Sequence, residues 1–379
     1  MHVINSLSAS GGAEHGLVRE VSMFRSDIDQ LVVTLYPPNA LGESLASADI
    51  GVEELDLDPS SSGWNWALAA RRLRSLISGF RPDVVQSSLA SGNLAAQVAA
   101  RPSKTPVLST LTLSGDPSLM REFQPGAASR RAAALRRVEA RAARRDHVWF
   151  RSLTWDAAAT SSEAMGLDMG RVNVIPRGVP LPTGADPDRS ALGLPTDVPI
   201  MLNVGRQTAQ KGHLDLIQVF SDVRKDLKAH LVILGREGDG TTSLKEAVAR
   251  SGHDESISII PYSDRTYDYY RSADAFVFTS HMEGLGTAVL EAMACRLPVV
   301  AYDIPPIAEI AKTDELAVLV PPGDTNTLAD RVHEVLTSPA AAKARADRAF
   351  SVVASKYAPE RIAAAVESLL SELVAGAAS

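Results

Sequence analysis

Two glutamates, Glu283 and Glu291, stand eight positions apart in a glycine-punctuated segment. The apolar run 275–278 before them is typical of a short buried strand, and apolar residues recur at helical spacing after Gly286. The turn therefore follows the carboxyl end of a strand, where open α/β sheets bind ligands and a helix N-terminus offers N–H groups to a phosphate. We expect both carboxylates to face one bound molecule, although isolated glutamates at this spacing are usually solvated helix charges.

Arg206 and Lys211 form a second pair of candidate residues, and both are cationic. They follow the strand-like run 200–204 in a short loop that begins with Gly205. A guanidinium offers phosphate a bidentate fork, and an ammonium offers a point charge on a flexible stem. The position after a strand favours a phosphate-binding loop over the alternative, an ordinary charged loop.

Composition narrows the class of function. The 379 residues include 45% hydrophobic residues, enough for two domains of ordinary size, and carry a net charge of −7. That charge argues against nucleic acid as a partner, because phosphates require a dominant basic face. Cys295 is the single cysteine, which excludes an internal disulfide and fits a reducing compartment. No apolar run approaches the ~20 residues of a membrane span, so a cytoplasmic protein is expected.

Strand-like and helical patterns alternate twice along the chain, which predicts an α/β protein with two doubly wound halves. A cluster of prolines and glycines between residues 176 and 199 marks their connection. We place the domains at 1–179 and 180–358, followed by a terminal helix in 359–379. The predicted strands are 3–4, 31–35, 84–85, 107–110 and 172–175 in the first half, and 200–204, 231–234, 257–260, 275–278, 299–301 and 318–320 in the second.

Over nearly its whole length the chain resembles glycosyltransferases of family four, the retaining, nucleotide-sugar-dependent group with the GT-B fold. The E-x7-E motif of that family is matched by Glu283 to Glu291, inside the longer run E-G-x-G-x-x-x-x-E-A-M-A. Its G-R-x-x-x-x-K-G loop is matched from Gly205 to Gly212. Shorter segments match its G-G-A-E turn (11–14), its I-P-N-G-V crossover (176–179) and its V-P-P-G-D segment (320–324).

The resemblance implies two Rossmann-like domains that face each other across a cleft, an N-terminal acceptor domain and a C-terminal donor domain, with the last helix crossing back to the N-terminal domain. A nucleoside-diphosphate sugar is the implied donor, and no other cofactor is expected. Cations at the leaving diphosphate would stabilise the transition state, so Arg206 and Lys211 remove the need for a metal. The other implied roles are ribose binding by Glu291, donor-sugar binding by Glu283, and donor contacts from the backbone of Gly11, Gly12, Gly284, Leu285, Gly286 and Thr287.

Several positions depart from the family pattern. Thr112 and the run 86–88 stand where relatives often carry histidines, and Pro261, Pro305 and Pro306 replace frequent glycines. Threonine and glutamine cannot serve as a general base near pH 7, so proton removal would rest with the phosphate. The departures indicate an unusual acceptor, an unusual donor sugar or lost activity. Three alternatives therefore stay open: a silent nucleotide-binding partner of another transferase, a nucleotide-sugar epimerase and a phosphorylase on the same fold.

The helix pattern from Arg130 to Arg145 is basic, with arginines interleaved among alanines and leucines. One interpretation is contact with an anionic membrane that carries a lipid-linked acceptor. The other, which we favour, is a solvated helix face, because its apolar side has no Trp or Phe. His281, beside the glutamate motif, is expected to be a rim residue rather than a catalyst.

Overall fold

The computed structural model describes residues 1–9, 11–58, 65–111, 122–123, 130–311 and 315–378. The chain divides into two compact units. The first holds the described residues up to 111, then 130–178 and 359–378. The second holds 179–311 and 315–358 together with residues 122 and 123. The chain thus passes into the second unit after Gly178 and returns to the first at Pro359.

The first unit is built on a seven-stranded parallel sheet with the order β3-β2-β1-β4-β5-β6-β7. Its strands are β1 (His2–Ile4), β2 (Leu31–Thr34), β3 (Gly51–Glu54), β4 (Val85–Ser87), β5 (Val107–Leu111), β6 (Val148–Ser152) and β7 (Val172–Val174). Its helices are α1 (Gly12–Val21), α2 (Gly42–Ala46), α3 (Asn65–Phe80), α4 (Ala90–Ala99), α5 (Arg130–Ala143), α6 (Trp155–Met165) and the terminal α14 (Pro359–Ala378).

Helices cover both faces of this sheet, as a buried parallel sheet requires. Alternate strand residues point to opposite faces, so Val3 packs in one core cluster with α3 and α4 while its neighbour Ile4 packs in another with α1 and α14. The terminal helix is therefore part of the first core, although 180 residues of the second unit (179–358) precede it in the chain.

The second unit contains a six-stranded parallel sheet with the order β10-β9-β8-β11-β12-β13. Its strands are β8 (Ile200–Val204), β9 (His230–Leu234), β10 (Ile257–Ile260), β11 (Ala275–Phe278), β12 (Val299–Tyr302) and β13 (Val318–Val320). Its helices are α7 (His213–Val223), α8 (Thr241–Ser251), α9 (Thr266–Ser272), α10 (Thr287–Ala294), α11 (Pro305–Ala311), α12 (Thr325–Thr337) and α13 (Pro339–Lys356). The strand order reverses between β8 and β11, which makes this pair the topological switch point.

The predicted α/β class with two Rossmann-like units is confirmed. All six strands predicted in the second half are present, whereas the first half has seven strands instead of the five predicted. The two missed strands have weak apolar patterns: β3 is an edge strand with the sequence GVEE and mostly exposed residues, and in β6 the apolar run 148–150 ends at the buried Arg151. Within the described ranges, no helix combines the length and apolarity needed to cross a bilayer.

Candidate functional site

Two crossovers that carry the candidate residues leave neighbouring strands at the switch point of the second sheet. Residues 205–213, the lysine segment, follow β8, and residues 279–287, the glutamate turn, follow β11. Because β8 and β11 are paired in parallel, both crossovers begin at the same carboxyl edge. Open α/β sheets bind their ligands at this edge.

The lysine segment is fixed at its start by the crossover that follows β9. Gly205 donates its N–H to Leu234 O at 2.9 Å. Gln207 donates its backbone N–H to Arg236 O at 2.9 Å and its side-chain amide to Gly235 O at 2.8 Å. The backbone that carries the two candidate cations is therefore held on both sides of Arg206.

The two cations differ in their surroundings. Lys211 Nζ forms an ion pair with Glu283 Oε1 and lies 5.7 Å from the centre of the Phe278 ring. The pair is largely buried, with side chains 18% and 12% exposed for lysine and glutamate respectively. The guanidinium of Arg206 is exposed and has no hydrogen bond or ion pair to any other residue that the structure describes. The structure thus joins two of the three predicted catalytic residues and leaves the third free to contact a ligand.

Gly286 shapes the glutamate turn. Its φ of 83° lies in the left-handed region that favours glycine, and a Cβ at this position would fall 2.3 Å from Cδ1 of Ile307. No side chain caps the helix that begins at Thr287. Val289 N donates to Gly286 O at 2.9 Å, which leaves the N–H groups of Thr287 and Ala288 for a ligand. Leu285 is 4% exposed and anchors the turn in the core, beside Gly284. The predicted donor-binding residues 284–287 therefore form a turn that suits a phosphate.

Glu291 lies one helical turn farther along α10, and its carboxylate accepts a hydrogen bond from the Tyr270 hydroxyl at 3.1 Å. Burial, and secondarily the charge of Glu291, raise the pKa of Tyr270 well above its usual value. The hydroxyl therefore stays protonated and remains a donor. Burial likewise raises the pKa of the nearby Cys295 thiol to about 12, so this cysteine is neutral.

The lysine segment and the glutamate turn are tied together. Thr279 Oγ1 donates to Lys211 O at 3.0 Å, and His281 N donates to Gln210 O at 2.9 Å. Gly212 permits this approach, because its φ is 64° and a Cβ there would lie 2.1 Å from Thr279 O. The two halves of the candidate site thus form one packed unit.

Asp215, Tyr270 and Tyr302 are contact residues of the site that the motif analysis missed. Asp215 Oδ2 accepts from the Tyr302 hydroxyl at 2.8 Å and lies 3.2 Å from His281 Nε2. The histidine expected at the rim is only 22% exposed. An acidic residue in the first turn of α7, four positions after Lys211, was the available sequence signal for Asp215.

Two of the positions that depart from the family pattern have a simple place in the fold. Pro305 and Pro306 are the first residues of α11, where a missing N–H and a fixed φ are well tolerated. The next residue of this helix, Ile307, is the one that packs against Gly286. The helix that the prolines begin therefore packs against the glutamate turn through Ile307.

In the first unit, Gly11 precedes α1 and Gly12 is its first residue. A Cβ on Gly12 would meet no atom within 4 Å, whereas one on Gly11 would meet the Glu14 carboxylate at 2.0 Å. Space is therefore open beside Gly12, and the contact of Gly11 is with the flexible end of a side chain. Thr112 lies outside the described residues.

The run 86–88, where relatives often carry histidines, belongs to an internal hydrogen-bond network. Ser87 Oγ lies 2.9 Å from both Ser109 Oγ and Asn93 Oδ1, and Gln97 Nε2 donates to Ser109 Oγ at 2.9 Å. Gln86 donates to the buried Glu20 at 2.9 Å. These side chains are occupied by neighbours in the sheet and its helices.

The basic helix α5 presents Arg136, Arg137 and Arg141 at the surface, whereas Arg144 donates to Met165 O at 2.9 Å. Its contact with a membrane stays a prediction. Among the described residues, no group of three or more His, Cys, Asp or Glu side chains could hold a metal ion. Metal independence also stays a prediction, based on the two cations.

Two family models match the chain and together follow the two structural units. Residues 11–178 match the model described as "Glycosyl transferase 4-like domain". Residues 185–352 match the model described as "Glycosyl transferases group 1".

The chain spans about half or less of the length of the curated relatives that it matches. A D-inositol 3-phosphate glycosyltransferase from Xylanimonas cellulosilytica is 32% identical over 180 residues, which cover 44% of this chain and 43% of that protein. The alpha-D-kanosaminyltransferase of Streptomyces kanamyceticus is 28% identical over 164 residues, 42% of each chain.

Solved structures match over the whole chain. HepE of Anabaena in complex with UDP and glucose superposes with a TM-score of 0.83 at 18% identity, over 98% of this chain and all of that chain (100%). The sucrose-phosphate synthase of Thermosynechococcus elongatus gives a TM-score of 0.81 at 18% identity, over 99% and 100% of the two chains. At this identity the likeness establishes the fold.

Proposed function

The chain belongs to the family-four glycosyltransferases, and from that premise we propose that it transfers a sugar, of the hexose type, from a nucleoside-diphosphate sugar to a hydroxyl acceptor with retention of configuration. The observation that carries the proposal is the buried pairing of Lys211 with Glu283 at the switch-point edge, beside the unpaired Arg206. A cation held by a carboxylate in a partly dry site is positioned before the ligand arrives.

The leaving diphosphate is the ligand that these groups fit. Arg206 has five N–H donors and no described partner, so it can offer a bidentate fork to a phosphate. Lys211 would divide its three donors between Glu283 and a phosphate oxygen. Both cations stabilise negative charge that grows as the bond between the sugar and the diphosphate breaks. In this proposal the residues 284–287 present N–H groups to the same ligand.

Glu291 is proposed to bind the ribose diol. A carboxylate accepts two hydrogen bonds from paired hydroxyls, and the Tyr270 hydroxyl, which donates to Oε2, fixes its orientation. Glu283 is proposed to contact the donor sugar. Its carboxylate is already engaged by Lys211, which makes it a poor nucleophile and fits a reaction without a covalent enzyme intermediate.

Retention is then proposed to follow from attack on the face that the diphosphate leaves. The bond from the anomeric carbon to the phosphate oxygen breaks, the acceptor oxygen bonds to the same face of that carbon, and the acceptor proton passes to the departing phosphate oxygen. No protein base is required in this step, which is consistent with the engagement of Ser87 in internal hydrogen bonds.

The names of the relatives suggest substrate classes for the acceptor and for the donor sugar. The acceptor named for one relative is an inositol phosphate, and that for another, a GDP-mannose enzyme of Xanthomonas campestris, is a diphosphopolyprenol. HepE binds UDP and glucose. A glycolipid, polysaccharide or natural-product acceptor is proposed accordingly. A cytoplasmic location is proposed with it, with α5 as the surface for a peripheral membrane contact.

The test is calorimetric binding of UDP, GDP and dTDP to the wild type and to Glu291→Ala. One base should bind the wild type, and the variant should bind it about 10- to 100-fold more weakly, because a hydrogen bond to a charged group contributes about 1.5 to 3 kcal/mol. Glu334→Ala, which alters an exposed glutamate of α12 in the same unit, is the matched control and should bind as the wild type does.

Donor turnover then separates the alternatives. Release of nucleoside diphosphate that requires an acceptor supports the transferase. Conversion of the donor without an acceptor would identify an epimerase, and a requirement for phosphate would identify a phosphorylase. Tight nucleotide binding with no turnover across an acceptor panel would favour the silent partner, and no binding of any nucleotide would refute the proposal.

A further inference from the structure

The site contains one side-chain bridge that the proposed chemistry does not use. His281 belongs to the glutamate turn, and its Nε2 lies 3.2 Å from Oδ2 of Asp215, in the first turn of the helix that the lysine segment enters. The same carboxylate oxygen accepts from the hydroxyl of Tyr302, the last residue of β12, at 2.8 Å. This one oxygen therefore joins the segments that follow β8 and β11 to the end of the neighbouring strand β12.

This bridge is protected from water. Tyr302 is fully buried, and the side chains of His281 and Asp215 are 22% and 29% exposed. The imidazole contacts two rings: that of Tyr302, tilted at a centroid distance of 5.4 Å, and that of Phe123, stacked at 5.7 Å. These ring contacts help to orient the imidazole, whose Nε2 lies 3.2 Å from the carboxylate.

The protonation states suit a fixed bridge. The hydrogen bond from His281 is the largest cause that lowers the pKa of Asp215, and Tyr302 lowers it further. Burial, and then the bond to Asp215, raise the pKa of Tyr302 far above its usual value. An ionised carboxylate therefore meets a protonated phenol, and both remain so across the neutral range.

The bridge encloses the proposed catalytic pair. Asp215 lies four residues after Lys211, and His281 lies two residues before Glu283. The ion pair of Lys211 with Glu283 and the contact of Asp215 with His281 are therefore two side-chain contacts that join the same part of the chain after β8 to the glutamate turn. The ion pair must share Lys211 with a ligand, whereas the contact of Asp215 with His281 involves no group that the ligand requires.

We infer that His281 is a positioning residue, which holds the lysine segment against the glutamate turn through Asp215 while Lys211 shares its donors between Glu283 and the diphosphate. This inference rests on the proposed function for its effect on turnover. A misplacement of reacting groups by about 1 Å can lower a rate about 100-fold. The loss of the bridge should therefore reduce kcat more than it raises the KM for the donor.

Four variants test this role: His281→Ala, His281→Gln, Asp215→Ala and the double alanine variant. His281→Ala and Asp215→Ala should each lower kcat about 10- to 100-fold. The double variant should be no worse than the more impaired single variant, because both remove the same contact. Gln places an amide N–H near the position of Nε2, so His281→Gln should recover most of the activity. His333→Ala, on α12, is the control and should match the wild type.

A second measurement does not depend on turnover. Hydrogen exchange of the ligand-free protein, followed by mass spectrometry, should show faster exchange in peptides covering residues 205–213 and 279–287 of His281→Ala, with unchanged exchange in the strands of the first unit. If the wild type binds no nucleotide and transfers no sugar, the proposed function fails, and the exchange pattern alone decides the positioning role.

Three results would overturn the inference. One is a His281→Ala protein with the kcat and exchange pattern of the wild type. Another is a double variant whose loss equals the product of the single losses, since that would show independent roles. The third is a His281→Gln protein as impaired as His281→Ala, since the hydrogen bond would then not be what the imidazole supplies.

Discussion

The two units use the same parallel topology but treat charge in opposite ways. In the first, Glu20 and Arg151 form an ion pair at 2.6 Å with side chains only 7% and 5% exposed. Arg151 also donates to the carbonyls of Ile175 and Pro176, at 2.9 and 2.6 Å, and Glu20 accepts from Gln86. Both charges of this pair therefore have further partners within the fold.

In the second unit, charge at the switch-point edge is left incompletely satisfied. The guanidinium of Arg206 has no partner in the described part of the chain, and Lys211 has one carboxylate for three donors. A closed network leaves few donors for a ligand, whereas an open one keeps donors that a ligand can use. The comparison teaches that burial of an ion pair does not identify a site, and that the proposed site rests on unused hydrogen-bonding capacity.

The largest effect expected from this comparison is on stability. Glu20→Ala leaves Arg151 buried without its carboxylate and should lower the free energy of unfolding by about 3 to 5 kcal/mol. Nucleotide affinity of the folded variant should stay near that of the wild type. Denaturant unfolding and calorimetry measure the two quantities, with the exposed Glu43→Ala of α2 as the control. If nucleotide affinity falls as much as the free energy of unfolding does, the ion pair of the first unit also supports ligand binding, and the proposed difference between the units is wrong.

The opposite profile is expected for Lys211→Ala. Loss of one group that stabilises transition-state charge should lower kcat for sugar transfer about 100- to 1,000-fold, or about 2.7 to 4 kcal/mol. Stability should fall less than in Glu20→Ala, because Glu283 is left close to the ligand-binding edge. Lys225→Ala is the matched control, since this lysine lies just beyond α7 and is 72% exposed. Turnover within a few fold of the wild type would remove Lys211 from the chemistry.

The accuracy with which the sequence predicts the strands also differs between the two units. In the second, all six strands coincide with apolar runs, and the glycine turns lie between them. In the first, β3 has exposed glutamates, and the apolar run of β6 ends after three residues at Arg151, so both strands have weaker patterns than those of the second unit. Arg151 is buried together with its ion-pair partner Glu20, which lies 131 positions away, and a local sequence pattern cannot show such a pairing.

The candidate site divides in the same manner. The motif residues were found because their spacing is local, as between Arg206 and Lys211. The contacts that orient them are not local: Glu283 is 72 positions from Lys211, and Tyr302 is 87 positions from Asp215. Periodicity contains no information on such pairs, which is why His281 was expected at a rim and Tyr270 was not singled out.

The smallest expected effect concerns the hydrogen bond from Tyr270 to Glu291 in the second unit. Tyr270→Phe removes the hydroxyl that donates to Glu291 and leaves the buried ring in place. The hydroxyl acts on the nucleotide only through the carboxylate that it orients, so nucleotide affinity should fall roughly 2- to 10-fold, or about 0.5 to 1.5 kcal/mol. The matched control is Tyr269→Phe, because Tyr269 is a neighbouring buried residue whose hydroxyl has no hydrogen bond among the described residues. The loss should disappear when Glu291 is alanine, since the hydroxyl acts through that carboxylate. If Tyr270→Phe weakens binding equally with and without Glu291, the tyrosine contributes by another route, and the second unit would hold its ribose-binding carboxylate without help from the core.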